Sequence, residues 1–224
     1  MAAVLEWLFW GGVALVAYTY VGYGLLVYLL VQLRGPYAPE PGIPAVPPAV
    51  TLIVPAYNEA PLILGKLENT LALEYPADKL TVLIVTDGST DDTVARLAAF
   101  PLPPSADVRV THLPERRGKL AAVERVMPLV ETAFVVFSDA NTLLNPAAIT
   151  NLVKHYADAT VGVVAGEKRV AIRTGAGVQG VGEGLYWRYE SALKRLDAAF
   201  YSTVGAAGEL FSLRTALFES VPAD

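Results

Sequence analysis

The chain contains no cysteine, so disulfides, thiolate nucleophiles and Cys-type zinc sites are excluded, and a reducing compartment suits it. Histidine is scarce too. His112 and His155 stand alone, with no second ligand at metal spacing and no nucleophile elbow beside them, and read as ordinary strand-end and helix residues. Positive charge is in deficit: 17 Lys and Arg against 22 Asp and Glu give a net charge of -5. That balance argues against a nucleic-acid partner, because sequence-independent binding needs many basic contacts to phosphates. Finally, no charged residue or histidine occurs over the 27 residues from Trp7 to Leu33.

That uncharged run is what a bilayer requires. About 20 apolar residues cross the hydrocarbon core, so the run can span with some tilt. Trp7 and Trp10 near one end and Tyr28 near the other suit the interfaces. A cleaved leader fits less well, since no basic segment precedes the run and the run is long for one. Glu6 lies before it and Arg34 after it, which favours a cytoplasmic C-terminal side by a single charge. Residues 1–34 are therefore expected to form a transmembrane helix. Residues 35–49 are a linker: Gly35 to Pro48 holds six prolines in fourteen residues, an extended spacer. A domain is expected over 50–224.

From Val50 strand and helix patterns alternate. Strands are predicted at 50–54, 80–86, 108–112, 133–138 and 162–165, with helices at 60–73, 91–100, 118–130, 146–156 and 181–200. A short strand follows the Gly/Ala-rich turn before Arg214. The alternation implies an α/β fold, a mostly parallel sheet with helices on both faces. The last long helix has an apolar stripe of Leu185, Tyr189, Ala192, Leu196 and Phe200, and reads first as an amphipathic helix packed on the sheet.

The chemistry gathers where strands become loops, the edge at which open α/β sheets bind ligands. The second strand ends at Asp87-Gly88-Ser89, where Gly88 permits a positive φ. The first ends at Tyr57-Asn58-Glu59 and the fourth at Asp139-Ala140-Asn141. Carboxylates drawn to one edge repel unless a cation joins them. Oxygen donors of this kind suit Mg²⁺ or Mn²⁺, which also take phosphate oxygens. Arg116, Arg117 and Lys119 can balance phosphate charge, or form a solvated basic loop. As a loop-edge carboxylate, Asp87 is expected to be replaceable by Ala without harm to the fold.

Four segments in this order, Ile53-Val-Pro-Ala-Tyr-Asn-Glu59, Val85-Thr-Asp-Gly-Ser-Thr-Asp91, Arg117-Gly-Lys119 and Phe137-Ser-Asp-Ala-Asn-Thr142, resemble the inverting family 2 glycosyltransferases with the GT-A fold. The resemblance implies that Pro55, Tyr57, Asn58, Glu59, Asp87, Ser89, Lys119 and Asp139 bind a nucleotide sugar, with uridine as the base. Asp139 and Asn141 stand where the family has Asp-x-Asp, and would bind Mg²⁺ or Mn²⁺ with the diphosphate. Asn coordinates through its carbonyl oxygen but carries no charge. The membrane-bound branch of the family is implied by the apolar run and by Tyr186-Trp-Arg-Tyr-Glu190. The implied reaction transfers a sugar from a UDP-sugar to a polysaccharide or lipid-linked acceptor at the cytoplasmic face of the inner membrane, with inversion. The family's acidic pair for the general base is not seen before Asp224, so the chain reads as C-terminally incomplete, needing a further segment or a partner subunit. Glu209 and Asp224 are the weak candidates for the base. Two other readings compete. One is a non-catalytic, membrane-tethered nucleotide-sugar-binding subunit. The other is a nucleotidyltransferase, which would want a Gly-rich basic loop where Pro55 to Glu59 stands. A literal G-x-G-x-x-G at Gly175 to Gly180 lacks the strand that a dinucleotide fold needs after it, and reads as a glycine loop.

Overall fold

A computed structural model describes residues 1–35, 41–169, 178–203, 205–206 and 208–220. Asp224 and the start of the Gly175 to Gly180 run lie outside the described residues. The chain divides into two compact units, one of residues 1–39 and 168–205, the other of residues 40–167 and 206–224.

In the first unit one helix runs from Ala2 to Arg34, 33 residues long and apolar enough to cross a membrane. It consists of α1 (Ala2–Ala17), a π-helical stretch (Tyr18–Gly22) and α2 (Tyr23–Arg34). Leu, Ala and Val without an interrupting proline favour the helix, and Gly35 at φ +82° ends it. No residue of α1 is buried. Helix α7 (Val178–Phe200) packs on α2. Leu193 fills the space over Gly24, where a Cβ would come within 2.9 Å of it. Tyr23 donates to Asp197 at 2.8 Å, Tyr189 donates to the Tyr20 carbonyl, and Arg34 lies over the Phe200 ring. The contact face thus carries Tyr189, Leu193, Asp197 and Phe200. An all-apolar stripe leaves out Asp197, which α2 accommodates through a tyrosine hydroxyl.

The second unit is built on a six-stranded sheet in the order β3-β2-β1-β4-β6-β5. Its strands are β1 (Val50–Ala56), β2 (Leu80–Asp87), β3 (Asp107–Leu113), β4 (Phe134–Ser138), β5 (Val163–Ala165) and β6 (Leu210–Arg214). The first four are mutually parallel, and β6 is antiparallel to both β4 and β5. The mostly parallel sheet is as expected; the insertion of the last strand between β4 and β5 is not visible in the sequence. Helices α3 (Ile63–Leu71), α4 (Thr93–Ala99), α5 (Lys119–Val126) and α6 (Ala148–Val153) flank it.

Six of the seven residues of β1 are buried because both sheet faces are covered, which is why the strand reads as an apolar run with only Thr51 to break it. On one face Leu52, Val54, Ile84 and Val136 pack with Ile63 and Leu67 of α3 and with Ile149 and Leu152 of α6. On the other, Ile53, Leu83, Val85 and Phe137 pack with Ala122, Val123 and Val126 of α5. Truncating a fully buried side chain such as Leu52 to Ala should cost about 3 kcal/mol in unfolding free energy, read from denaturant melts. The chain leaves β1 toward β2 and β3 and then returns to place β4 on the other side of β1. The strand order therefore reverses beside β1, and the crevice beyond the strand ends there is the ligand position that α/β topology dictates.

Candidate active site

A cleft of about 300 Å³ opens at this reversal, lined by Pro55, Ala56, Tyr57, Glu59, Asp87, Arg116, Gly118, Lys119, Ala122, Asp139, Ala140 and Asn141. Strand ends far apart in sequence thus bring three carboxylates, one amide, one lysine and one arginine to a common space.

Asp87 closes β2 and is only 4% exposed. Its Oδ2 accepts the backbone N–H groups of Arg117 at 2.9 Å and Gly118 at 2.7 Å. Its Oδ1 is buried with no hydrogen-bond partner, 3.5 Å from Arg125 Nη1 on α5. Such an acceptor fits a ligand N–H or O–H. The following Gly88 has φ +67°, and a Cβ there would stand 2.6 Å from the Arg116 backbone nitrogen. Gly88→Ala should therefore push away the loop whose amides hold Asp87. A loss of about 2–4 kcal/mol in thermal or denaturant melts is expected.

The β1 loop supplies Tyr57, whose ring lies under the Arg116 guanidinium at 3.9 Å. Asn58 takes φ +52° and uses its polar atoms on the neighbouring loop: its Oδ1 accepts from Thr90 N at 2.8 Å, and its own N–H donates to Ser89 Oγ at 3.2 Å. Asn58 and Ser89 thus tie two loops together and do not line the cleft. Asp91 braces the same junction, accepting the N–H groups of Ala60 and Thr93 at 3.0 Å each. Its Thr93 hydroxyl contact holds its pKa below the ordinary carboxylate value.

Glu59 has its pKa raised, first by burial and then by the nearby charges of Asp139 and Asp91. A carboxyl raised in the folded state is favourable when protonated and loses stability as pH rises through the range above its ordinary value. Glu59→Gln should therefore raise the melting temperature of the ligand-free protein at pH 7, and the gain should vanish below pH 4. Melting curves at the two pH values check this.

At the end of β4, Asp139 is ion-paired with Lys119 at the start of α5. Its backbone N–H donates to the Glu209 carbonyl at 3.2 Å, which ties the Asp139 turn to the segment before β6. The Glu209 side chain does not line the cleft. Arg117 turns outward to an exposed pair with Glu115 at 2.8 Å, which leaves Arg116 and Lys119 as the basic side chains of the cleft. His112 shares a 2.8 Å hydrogen bond with Thr86, an ordinary strand-end role. Among the described residues, no three His, Cys, Asp or Glu side chains group into a ready-made metal cage. Asp139 and Asn141 nevertheless present hard oxygen donors beside a lysine already drawn to the anionic position, which fits a divalent cation completed by diphosphate oxygens and water. Beyond Lys119 and Asp139 an apolar recess of about 310 Å³ is lined by Leu120, Val123, Phe137, Phe211, Leu213 and Phe218.

The residues that sequence reasoning missed are Arg125, behind Asp87, and Lys66, buried under the Asp139 turn. The signal for Lys66 was present: a lysine falls on the face of Ile63 and Leu67 at helical spacing, where solvated charge is out of place.

The fold and its crevice define a Rossmann-like GT-A domain. The chain belongs to glycosyl transferase family 2, whose family model matches residues 51–221. It is 30% identical over 128 residues to an N-acetylglucosaminyltransferase of Rhizobium leguminosarum bv. viciae, covering 55% of this chain and 29% of the relative. It is 25% identical over 122 residues to a poly-beta-1,6-N-acetyl-D-glucosamine synthase of Staphylococcus epidermidis, covering 54% and 29% respectively. A solved mannosyltransferase from Pyrobaculum calidifontis, in complex with GDP-Man and Mn²⁺, superimposes with a TM-score of 0.71 at 32% identity, over 90% of this chain and 55% of that one. The chain thus spans under a third of the two curated relatives and about half of the mannosyltransferase.

Proposed function

We propose that the chain binds a nucleoside diphosphate sugar, a UDP-sugar, in the cleft at the β1–β4 reversal and takes part in transferring the sugar to a polysaccharide or lipid-linked acceptor. The observation that carries this is the convergence of Glu59, Asp87, Lys119, Asp139 and Asn141 on one cleft, with a buried Asp87 oxygen that is ion-paired with Arg125 but makes no hydrogen bond. Pro55, Tyr57, Glu59 and Asp87 hold the base and ribose, Tyr57 and Arg116 forming a stacked wall. Asn58 and Ser89 act indirectly by locking the two loops. Asp139 and Asn141 hold Mg²⁺ or Mn²⁺, and Lys119 exchanges Asp139 for a phosphate oxygen when the donor binds. The metal, when bound, offsets the charge that develops on the departing diphosphate. Transfer proceeds by in-line attack of an acceptor hydroxyl at the anomeric carbon, with inversion, and a carboxylate receives the proton. The base is not identified; Glu209, whose side chain does not line the cleft, and Asp224 are weak candidates for it.

In the same proposal, residues 1–34 cross the inner membrane at least once, 35–49 are a spacer and 50–224 carry the cytoplasmic GT-A domain, of which residues 168–205 form a compact unit with the N-terminal helix. The mannosyltransferase bound to GDP-Man supports a guanine donor as the alternative. Titration calorimetry of the detergent-solubilised chain with UDP, GDP and their sugars, with and without Mn²⁺, separates these. UDP should bind in the micromolar range and more tightly with metal. Tighter GDP binding moves the donor class, and no binding of either sinks the reading. UDP binding without UDP release from a UDP-sugar assigns the chain a binding role alone.

A further inference from the structure

Among the described residues, the largest fully buried side chain is a lysine. Lys66 on α3 is 1% exposed. Its Nζ donates to Ser138 Oγ at 2.7 Å and to the Thr142 carbonyl at 2.7 Å. Those two residues bracket the Asp139-Ala140-Asn141 turn on either side. One helical turn further along α3, Asn69 continues the grip: its Nδ2 donates to the Leu144 carbonyl at 2.8 Å, and its Oδ1 accepts Leu144 N at 2.7 Å. Within the turn, Thr142 N donates to the Asp139 carbonyl at 3.2 Å. Spacing of three along a helix puts Lys66 and Asn69 on the same side, so α3 holds the strand end and the loop after it at successive points.

Packing does not explain a lysine here. An ammonium is costly to take out of water, and a methionine of similar length would fill the space without that cost. Burial pushes the Lys66 pKa down to about 8, against the attraction of Asp139, which raises it. The desolvation is offset by bonds to the turn that carries the two oxygen donors of the site. Asn141 brings no charge of its own, so metal affinity depends on the placement of its carbonyl oxygen relative to Asp139, and placement is what the clamp controls.

We propose that Lys66, seconded by Asn69, is a positioning residue for divalent-cation binding. From inside the fold it fixes the Asp139–Asn141 turn in the geometry that shares a metal with the donor diphosphate, and it touches neither ligand. This rests on the donor-site reading above.

The test measures metal and base separately in the full chain, in detergent. Mn²⁺ is titrated in the presence of UDP, uridine is titrated without metal, and thermal melts are recorded, for the native protein and for Lys66→Met, Asn69→Ala and Ser138→Ala. Lys66→Met should raise the half-saturating Mn²⁺ concentration at least tenfold, with uridine affinity within twofold of native. Asn69→Ala and Ser138→Ala should shift Mn²⁺ about threefold in the same direction. A purely structural lysine would lower the melting temperature and leave Mn²⁺ unchanged. Mn²⁺ half-saturation within twofold of native in the folded variants overturns the proposal. Should Lys66→Met fail to give a cooperative melt, Ser138→Ala decides, because it removes a single partner of the ammonium. Native protein that binds neither Mn²⁺ nor UDP overturns this inference together with the donor-site reading.

Discussion

Asp139→Asn should lower metal-dependent sugar transfer about a thousandfold, or ~4 kcal/mol in transition-state stabilisation. Asp139 is the carboxylate of the proposed metal pair, and Asn141 beside it is neutral. With two neutral amides the residue 139 and 141 pair itself would offer a divalent cation no charge. The Lys119 ammonium, now paired with Asp139, would lose its partner in the same step. The fold should tolerate the change: the Asp139 side chain is 28% exposed and Lys119 59%, and ion pairs this open contribute about 1 kcal/mol or less. Assays of UDP release across a Mn²⁺ titration check the prediction, with uridine binding as the control that should hold. Transfer within tenfold of native would move the metal site away from the end of β4.

Asp87→Asn should weaken uridine binding about a hundredfold, ~2.7 kcal/mol, the magnitude of a hydrogen bond to a charged group exchanged for a clash. The two backbone donors at Oδ2 require that oxygen to remain an oxygen, so the amide NH₂ must take the place of Oδ1. There it faces Arg125, itself a donor, and offers nothing to a ligand N–H. The same reasoning predicts a stability loss of about 1–3 kcal/mol, because a partly buried charge pair is broken. Calorimetry with uridine and a denaturant melt measure both. Unchanged uridine affinity would place the base elsewhere in the cleft.

Asp87 also shows where sequence reading stops. Its place at a strand end was legible, because a parallel strand buried on both faces reads as a mostly apolar run and the first charged residue marks its exit. Its burial was not. A loop-edge carboxylate replaceable by Ala was expected, but the 115–118 loop folds over it and hangs on it by two amides. Pro55, Tyr57, Glu59, Lys119, Asp139 and Asn141 come together as their strand ends foretold. Asn58 and Ser89 are adjacent to the cleft in sequence, yet they bond across loops. A local pattern cannot say whether a short polar side chain turns to ligand or to neighbouring backbone, since Asn and Ser do both. The position of β6 was invisible for a related reason: which strand edge a late segment finds is a tertiary decision. Helical spacing marked Lys66 as out of place on its face, but not what it holds, because its partners, Ser138 and Thr142, are more than seventy residues away.

The late strand has a kinetic consequence. Until residues 210–214 have left the ribosome, β4 has a naked edge, and β5 has no partner in the sheet. The pairing of Phe134 with Arg214 closes a loop of about eighty residues, a slow, non-local event. The Asp139 amide meets its acceptor on Glu209 in that same closure. A nascent chain can therefore assemble β1, β2 and β3 early and still lack a finished β4 turn, with an open strand edge that invites aggregation until the last piece zips in.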